Sequence, residues 1–352
     1  MITSRLPAIA GVALLAGALA AWTPLAQAAD VIYVTNQEGG VSVLDPAQLG
    51  ATKTIDLDGA GPRGLALTPD GKFLLTANQK TSDVTVIDTV THKIVRRIPI
   101  GKNPEFMRII PGGRLAFVTY EPSSDGKPPV PGAKDDDDDD KTPGQVAIVD
   151  LKQWKVVRSV VGAPETEGLE FLPDGKHFVI TNEGNDTVTV HSIATGKLVK
   201  KVDLKKHGSR PRGIKLSPDG KQYVVTMEHS DSFVVLDSKF KFVKAVPTSV
   251  GPYGIAFDKA GKRIVVASGR GAKVQVYDAV THAMLAEVPV GKRCWHFTFT
   301  PDESKLLVAC GRSNSVEVID ASTYKLTQTL ADFKLPWGIV SYPKASGSLD
   351  VP

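Results

Sequence analysis

Seven residues, each one place after a lead-in residue that is usually proline, recur at steps of 42, 62, 45, 41, 42 and 42: Arg63, Glu105, Glu167, Arg212, Tyr253, Trp295 and Trp337. The first four are charged, in the order Arg, Glu, Glu, Arg, and the last three are aromatic. Brought into one ring, they would form a funnel with a charged wall and an aromatic wall. Arginine forks and indole faces suit a planar ligand that carries anionic groups, and two neighbouring carboxylates could pass protons. A structural reading of the same residues also stands. Arg63 with Glu105, and Glu167 with Arg212, could pair between neighbouring units and close the channel, because unpaired buried charge is costly.

The elements that must position this ring are read from the segments around it. Pro62-Arg63-Gly64-Leu65, Pro211-Arg212-Gly213-Ile214, Pro252-Tyr253-Gly254-Ile255 and Pro336-Trp337-Gly338-Ile339 are copies of one pattern. Six of the seven copies run on into a tight turn such as Pro69-Asp70-Gly71 or Pro218-Asp219-Gly220. A period in the low forties, with strand-like segments between turns, marks a β-propeller. Each unit offers four strands rich in Val, Ile, Leu and Thr, bounded by Gly, Pro, Asn and Asp. In the first they are Arg63–Thr68 (a), Phe73–Ala77 (b), Val84–Asp88 (c) and Ile94–Ile100 (d). The aspartate that ends strand c (Asp45, Asp88, Asp150, Asp237, Asp278, Asp320) is expected to cap the following turn.

The N-terminal strands Ile32–Thr35, Val41–Asp45 and Lys53–Leu57 read as b, c and d, and the C-terminal Trp337–Tyr342 as the missing a. The fold expected is therefore all-β: a seven-bladed β-propeller of four-stranded antiparallel blades, closed by pairing the two ends, with no free edge at the seam. In such a ring the a strands line the central channel, and the d–a and b–c loops share one face. The seven residues above then lie at the channel mouth. His296 is one residue deeper, and simple alternation turns it away from the channel.

Outside the repeats, Arg5, the apolar run 9–21 and the small-x-small site Ala26-Gln27-Ala28 predict a cleaved signal peptide over 1–28. The propeller is then expected over 29–345, with a C-terminal tail at 346–352. The third repeat is delayed by an insertion at 121–144, rich in Pro and Gly and carrying Asp135 to Asp140. That composition predicts a disordered acidic b–c loop over the channel-mouth face. The chain has 42 Lys and Arg against 38 Asp and Glu. This mild basic bias permits anionic ligands without pointing to nucleic acid.

Cys294 and Cys310 lie on strands that hairpin together, so they are either a disulfide of an exported protein or two buried small apolar residues. There is no Cys-x-x-Cys-His, which excludes covalently attached haem. No His-Glu-x-x-His, Gly-x-Ser-x-Gly or phosphate-binding loop occurs, and no clustered histidines suggest a metal. No second apolar run is long enough to span a membrane.

Tyr33-Val34-Thr35-Asn36, the Pro-Asp-Gly hairpins and the Val-x-Val-Ile-Asp strands resemble the YVTN family of bacterial propellers. Gly291-Lys292-Arg293-Cys294-Trp295, Phe299-Thr300-Pro301-Asp302, Ser313-Asn314-Ser315-Val316 and Pro336-Trp337-Gly338 look like one branch of it, the propellers associated with PQQ-dependent catabolism. The resemblance implies an exported, periplasmic or secreted, monomeric binding or scaffold protein. It would serve PQQ-dependent alcohol oxidation and bind a small anionic or aromatic ligand, PQQ among them, or a periplasmic partner protein. Glu105 and Glu167 would repel the PQQ carboxylates. Three other readings stand beside it: a lactonase-like hydrolase using Glu105, Glu167 and Arg212; a single-stranded nucleic-acid binder using Trp295 and Trp337; and a propeller that holds haem without a covalent bond.

Overall fold

The computed structural model describes residues 1–2, 30–122 and 142–350. The expected signal peptide and the Asp135–Asp140 run lie outside the described residues.

Among the described residues, twenty-eight strands form seven four-stranded antiparallel sheets. Blades 1 to 6 are contiguous in sequence, at 62–99, 104–164, 166–203, 211–247, 252–289 and 294–330. Blade 7 joins the chain ends. Its innermost strand, Pro336–Tyr342, pairs with Val31–Asn36, with Tyr33 opposite Val340 and Ile32 opposite Ser341. Strands a, b and c are buried on both faces in most blades, because each blade stacks on two neighbours; the outer d strands are largely exposed. These stacked faces supply the apolar cores, such as Leu75, Val84 and Val86 against Met107 and Val118.

The strand-c aspartates cap the c–d turns as expected. Asp88 Oδ1 accepts from the N–H groups of Val90 (3.1 Å) and Thr91 (2.7 Å), and Asp45, Asp150, Asp237, Asp278 and Asp320 repeat the arrangement. In blade 3 Ser192 fills this role with its hydroxyl.

Two features of the a strands decide what faces the channel. First, the a–b pairing of blades 1 to 6 slips by one residue near its start, as between Pro62 and Leu65 or Cys294 and His296. A bulge of this kind breaks strict alternation. Second, the residue after each of the seven ring positions is glycine in five blades: Gly64, Gly168, Gly213, Gly254 and Gly338. A Cβ on Gly64 would lie 2.4 Å from the Glu105 carbonyl oxygen, and one on Gly168 would lie 2.2 Å from that of Arg212. Neighbouring a strands approach too closely for any side chain there. In blades 2 and 6 this place is held by Phe106 and His296, whose ring centroids are 6.1 Å apart. His296 therefore does not turn away from the channel. The bulge brings it inward, where it fills the waist with Phe106, Tyr253 and Trp337.

Beyond the last strand the chain turns back along the channel. Gly347 bridges to Thr298, Phe299 N–H donates to Ser346 O (2.8 Å), and Ser348 N–H donates to Phe297 O (3.0 Å). Ser346, Ser348, Leu349 and Asp350 are buried. The segment expected as a tail closes the channel at the end opposite the mouth.

Candidate functional site

All seven sequence-predicted residues stand second in the innermost strand of their blade; six are buried, from 2% exposed for Glu167 and Trp337 to 8% for Trp295, and Arg212 is partly buried, its side chain 12% exposed. The charged four form both expected pairs. Arg63 Nη1 donates to Glu105 Oε1 at 2.9 Å, and Arg212 Nη1 pairs with Glu167. The aromatic three pack on one another and on the waist. Trp337 lies 4.3 Å from His296 and 6.4 Å from Tyr253 between ring centroids, and the Arg212 guanidinium lies 4.8 Å over the Tyr253 ring. Trp295 lies against Gly311, where a Cβ would fall 1.9 Å from its ring.

Two further rings surround this one. The first comes from the residue before each lead-in: Gly61, Asn103, Glu165, Arg210, Gly251, Arg293 and Leu335. All seven adopt left-handed φ, between +48° and +68°. Glycine meets that conformation at no cost, whereas other residues pay for it. Asn103, Glu165, Arg210 and Arg293 nevertheless occupy it, and their side chains join the charged cluster. The second ring follows strand b, where Gln37, Glu121, Glu183 and Glu228 point into the same space. Reading the repeats one place before the lead-in and one place past strand b would have found both rings.

Electrostatically, Arg212 is the hub. It pairs with Glu167 and Glu183, and its Nε donates to Glu228 at 2.6 Å. Burial pulls its pKa down, but these three carboxylates raise it well above the ordinary arginine value. Glu228 also faces Arg293 (3.5 Å), Arg210 (3.7 Å) and Arg270 (3.9 Å). Burial pushes Glu228 up, yet Arg212, Arg293 and Arg210 bring it down to about 2. Glu167 is likewise lowered, because Arg212 overcomes its burial.

Glu105, Glu121 and Glu183 go the other way. Burial raises all three, Glu121 and Glu183 well above the usual carboxylate range, and neighbouring carboxylates add to it. Glu121 is held by a short chain of hydrogen bonds. Asn103 Nδ2 donates to Glu121 Oε2 (3.1 Å), Arg63 Nη1 donates to Asn103 Oδ1 (3.2 Å), and Arg63 Nε donates to Gln37 Oε1 (3.1 Å). The mouth thus holds carboxylates whose proton affinities are pushed in opposite directions beside guanidinium groups, an arrangement suited to proton transfer at a polarised carbonyl.

His296 is a structural group. Its Nδ1 lies 3.0 Å from Ser348 Oγ, and burial lowers its pKa to about 3, so the ring is neutral. Cys294 and Cys310 face each other in register and are joined in a disulfide. This resolves the two readings of that pair.

Fold and site define a seven-bladed β-propeller with a charged channel mouth. Residues 1–119 match the model of the YNCE-like β-propellers, and residues 149–239 match that of the seven-bladed lactonase propellers. No curated protein matches the chain. Among solved structures it is similar to a functionally unknown protein of Desulfotomaculum acetoxidans, with 17% identity, a TM-score of 0.73, and coverage of 89% of this chain and 98% of that one. It is also similar to the periplasmic gluconolactonase of Pseudomonas aeruginosa, with 17% identity, a TM-score of 0.70, and coverage of 92% and 99%. A dihydro-haem d1 dehydrogenase aligns with 16% identity, a TM-score of 0.64, and coverage of 88% and 74%. At these identities the likeness concerns the fold. Among the described residues, no helix is long and apolar enough to cross a membrane.

Proposed function

We propose that this protein is a lactonase-type propeller that opens a small, polar lactone at the charged channel mouth. The observation that carries this reading is the chain Arg63–Asn103–Glu121. Glu121 is a buried carboxyl whose pKa burial and neighbouring carboxylates raise well above the usual range, and Asn103 orients it. A carboxyl with its proton affinity raised and its position fixed is a candidate proton carrier. It would take a proton from the attacking water and return it to the ring oxygen as the ester bond breaks. Arg63, fixed by Gln37 and Glu105, would stabilise the negative charge that develops on the carbonyl oxygen. Arg210, Arg212 and Arg293 would favour the carboxylate product on the same face.

The matched lactonase segment and the gluconolactonase neighbour support this reading over an accessory role in PQQ-dependent catabolism. A stacking site for planar PQQ would need a free aromatic face. Tyr253, Trp295 and Trp337 instead have their rings against Arg212, Gly311 and His296. With the predicted signal peptide, the lactone would be met outside the cytoplasm.

The test is the rate of glucono-1,5-lactone opening in a pH-stat, against the spontaneous reaction. Acceleration that Glu121→Gln lowers by about 100-fold would support the proposal. A rate equal to the spontaneous one with glucono-, galactono- and homoserine lactones would overturn it.

A further inference from the structure

We propose that a cavity on the opposite face of the propeller is a second small-molecule site, which takes an apolar aldehyde and holds it on Lys215 as an imine. The cavity has a volume of about 590 Å³ and lies between the a–b hairpins of blades 2 to 5 and the returning C-terminal segment. Its walls are largely apolar, with Ile110, Phe171, Leu172 and Phe257 prominent; of the three charged residues that line it, Glu170 and Lys215 are buried and Asp219 is exposed. This is the composition of a site for a compact apolar body with one polar end. The charged channel mouth plays no part in it, so the inference stands apart from the lactonase reading.

Lys215 and Glu170 are each 4% exposed. Arg108 donates to Glu170 at 2.9 Å and is itself wholly buried, while the Phe171 N–H donates to the same carboxylate oxygen, also at 2.9 Å. Lys215 donates to the Asp350 carbonyl oxygen. Burial, with Arg108 adding like charge, holds the Lys215 amine well below the ordinary lysine value, against the opposing pull of Glu170 and Asp350. A buried lysine whose amine is shifted toward its uncharged form, set in the wall of a largely apolar pocket, is placed to act as a nucleophile on carbonyl carbon.

The chemistry balances without a further reagent. The Nζ lone pair forms a bond to the aldehyde carbon as the carbonyl π bond breaks, giving a carbinolamine. Glu170 relays the proton released from Nζ to the departing hydroxyl, so water leaves and the C=N bond forms. The apolar walls would then cover the aldehyde's alkyl or aryl body.

The experiment uses the full folded chain with benzaldehyde as probe and cyanoborohydride to fix any imine, followed by peptide mapping. The comparison is with Lys221, on the same blade, whose side chain is 81% exposed. The expected result is labelling of Lys215 at least about tenfold faster than Lys221, the factor given by one unit of amine pKa. That preference should vanish in denaturant. Lys215→Arg should remove the first equivalent of label and Lys221→Arg should not. Labelling of Lys215 no faster than Lys221 in the folded chain, or a preference that survives denaturation, overturns the proposal.

Discussion

The two halves of the channel mouth use the same backbone positions for opposite purposes. In blades 1 to 4 the ring residues are Arg63, Glu105, Glu167 and Arg212, and the residues before the lead-ins of blades 2 to 4 are Asn103, Glu165 and Arg210. In blades 5 to 7 the ring residues are Tyr253, Trp295 and Trp337, and they close on His296 and Gly311. The aromatic half is a packed wall with a neutral histidine. The charged half is a network in which burial and ion pairing oppose each other residue by residue. The propeller fixes where a side chain stands, and the side chain alone decides whether that place is core or chemistry.

The largest effect should come from the hub of the charged half. Arg212→Met leaves Glu167, Glu183 and Glu228 buried without their main counter-charge, and should cost about 3–5 kcal/mol. Urea midpoints would show it. Arg212→Lys, which keeps the charge and loses the fork, should fall between this variant and the parent.

Acid should separate the halves next. The folded pKa of His296 is about 3, against 6.5 for an ordinary histidine, so between these values the unfolded chain binds the extra proton. The stability that the neutral ring contributes is complete above pH 6.5 and is lost as pH falls toward 3, at about 1.4 kcal/mol per pH unit. Glu228, lowered to about 2, loses its contribution only between pH 4.5 and 2. Glu121 and Glu183, whose pKa values are raised, have the opposite sign: their contribution is present in acid and is lost as pH rises through their folded values. The difference between wild type and His296→Phe in unfolding free energy, measured from pH 7 to 4, should isolate the histidine slope.

Within the aromatic half, the Cys294–Cys310 bond closes a 16-residue separation. Replacing both cysteines by alanine should cost about 2–3 kcal/mol, read as a lower thermal midpoint without change in lactone chemistry. The smallest effect concerns the left-handed positions. Arg293 sits at φ +57°. Arg293→Gly should relieve about 1 kcal/mol of backbone cost while removing one of the arginines around Glu228. A variant no less stable but less able to bind a carboxylate, measured by calorimetry, would show that the strained arginine is kept for binding.

Much of this architecture is legible in the sequence because it is repeated. The period, the Pro-Asp-Gly turns and the strand-c aspartates are local signals that recur, and the split b-c-d and a strands at the chain ends specify the seam. The charged pairs at Arg63–Glu105 and Arg212–Glu167 could be foreseen from blade order alone. His296 could not, because its direction depends on a bulge, and a bulge leaves no mark in an apolar strand. Glu121 and Glu228 stand one place past strand b, outside the repeat's most regular segment, so the repeat marks their positions while their proximity to the arginines comes from the folded ring. The return of Ser346–Asp350 into the channel likewise rests on long-range pairing with Phe297 and Phe299 that no local pattern encodes.

The most direct test of the central claim compares one variant from each half in the same lactone-opening assay, with both confirmed folded by circular dichroism. Glu121→Gln should abolish nearly all acceleration of glucono-1,5-lactone opening, and Trp337→Phe should retain it. Loss of activity in Trp337→Phe with Glu121→Gln unaffected would contradict the assignment of chemistry to the charged half.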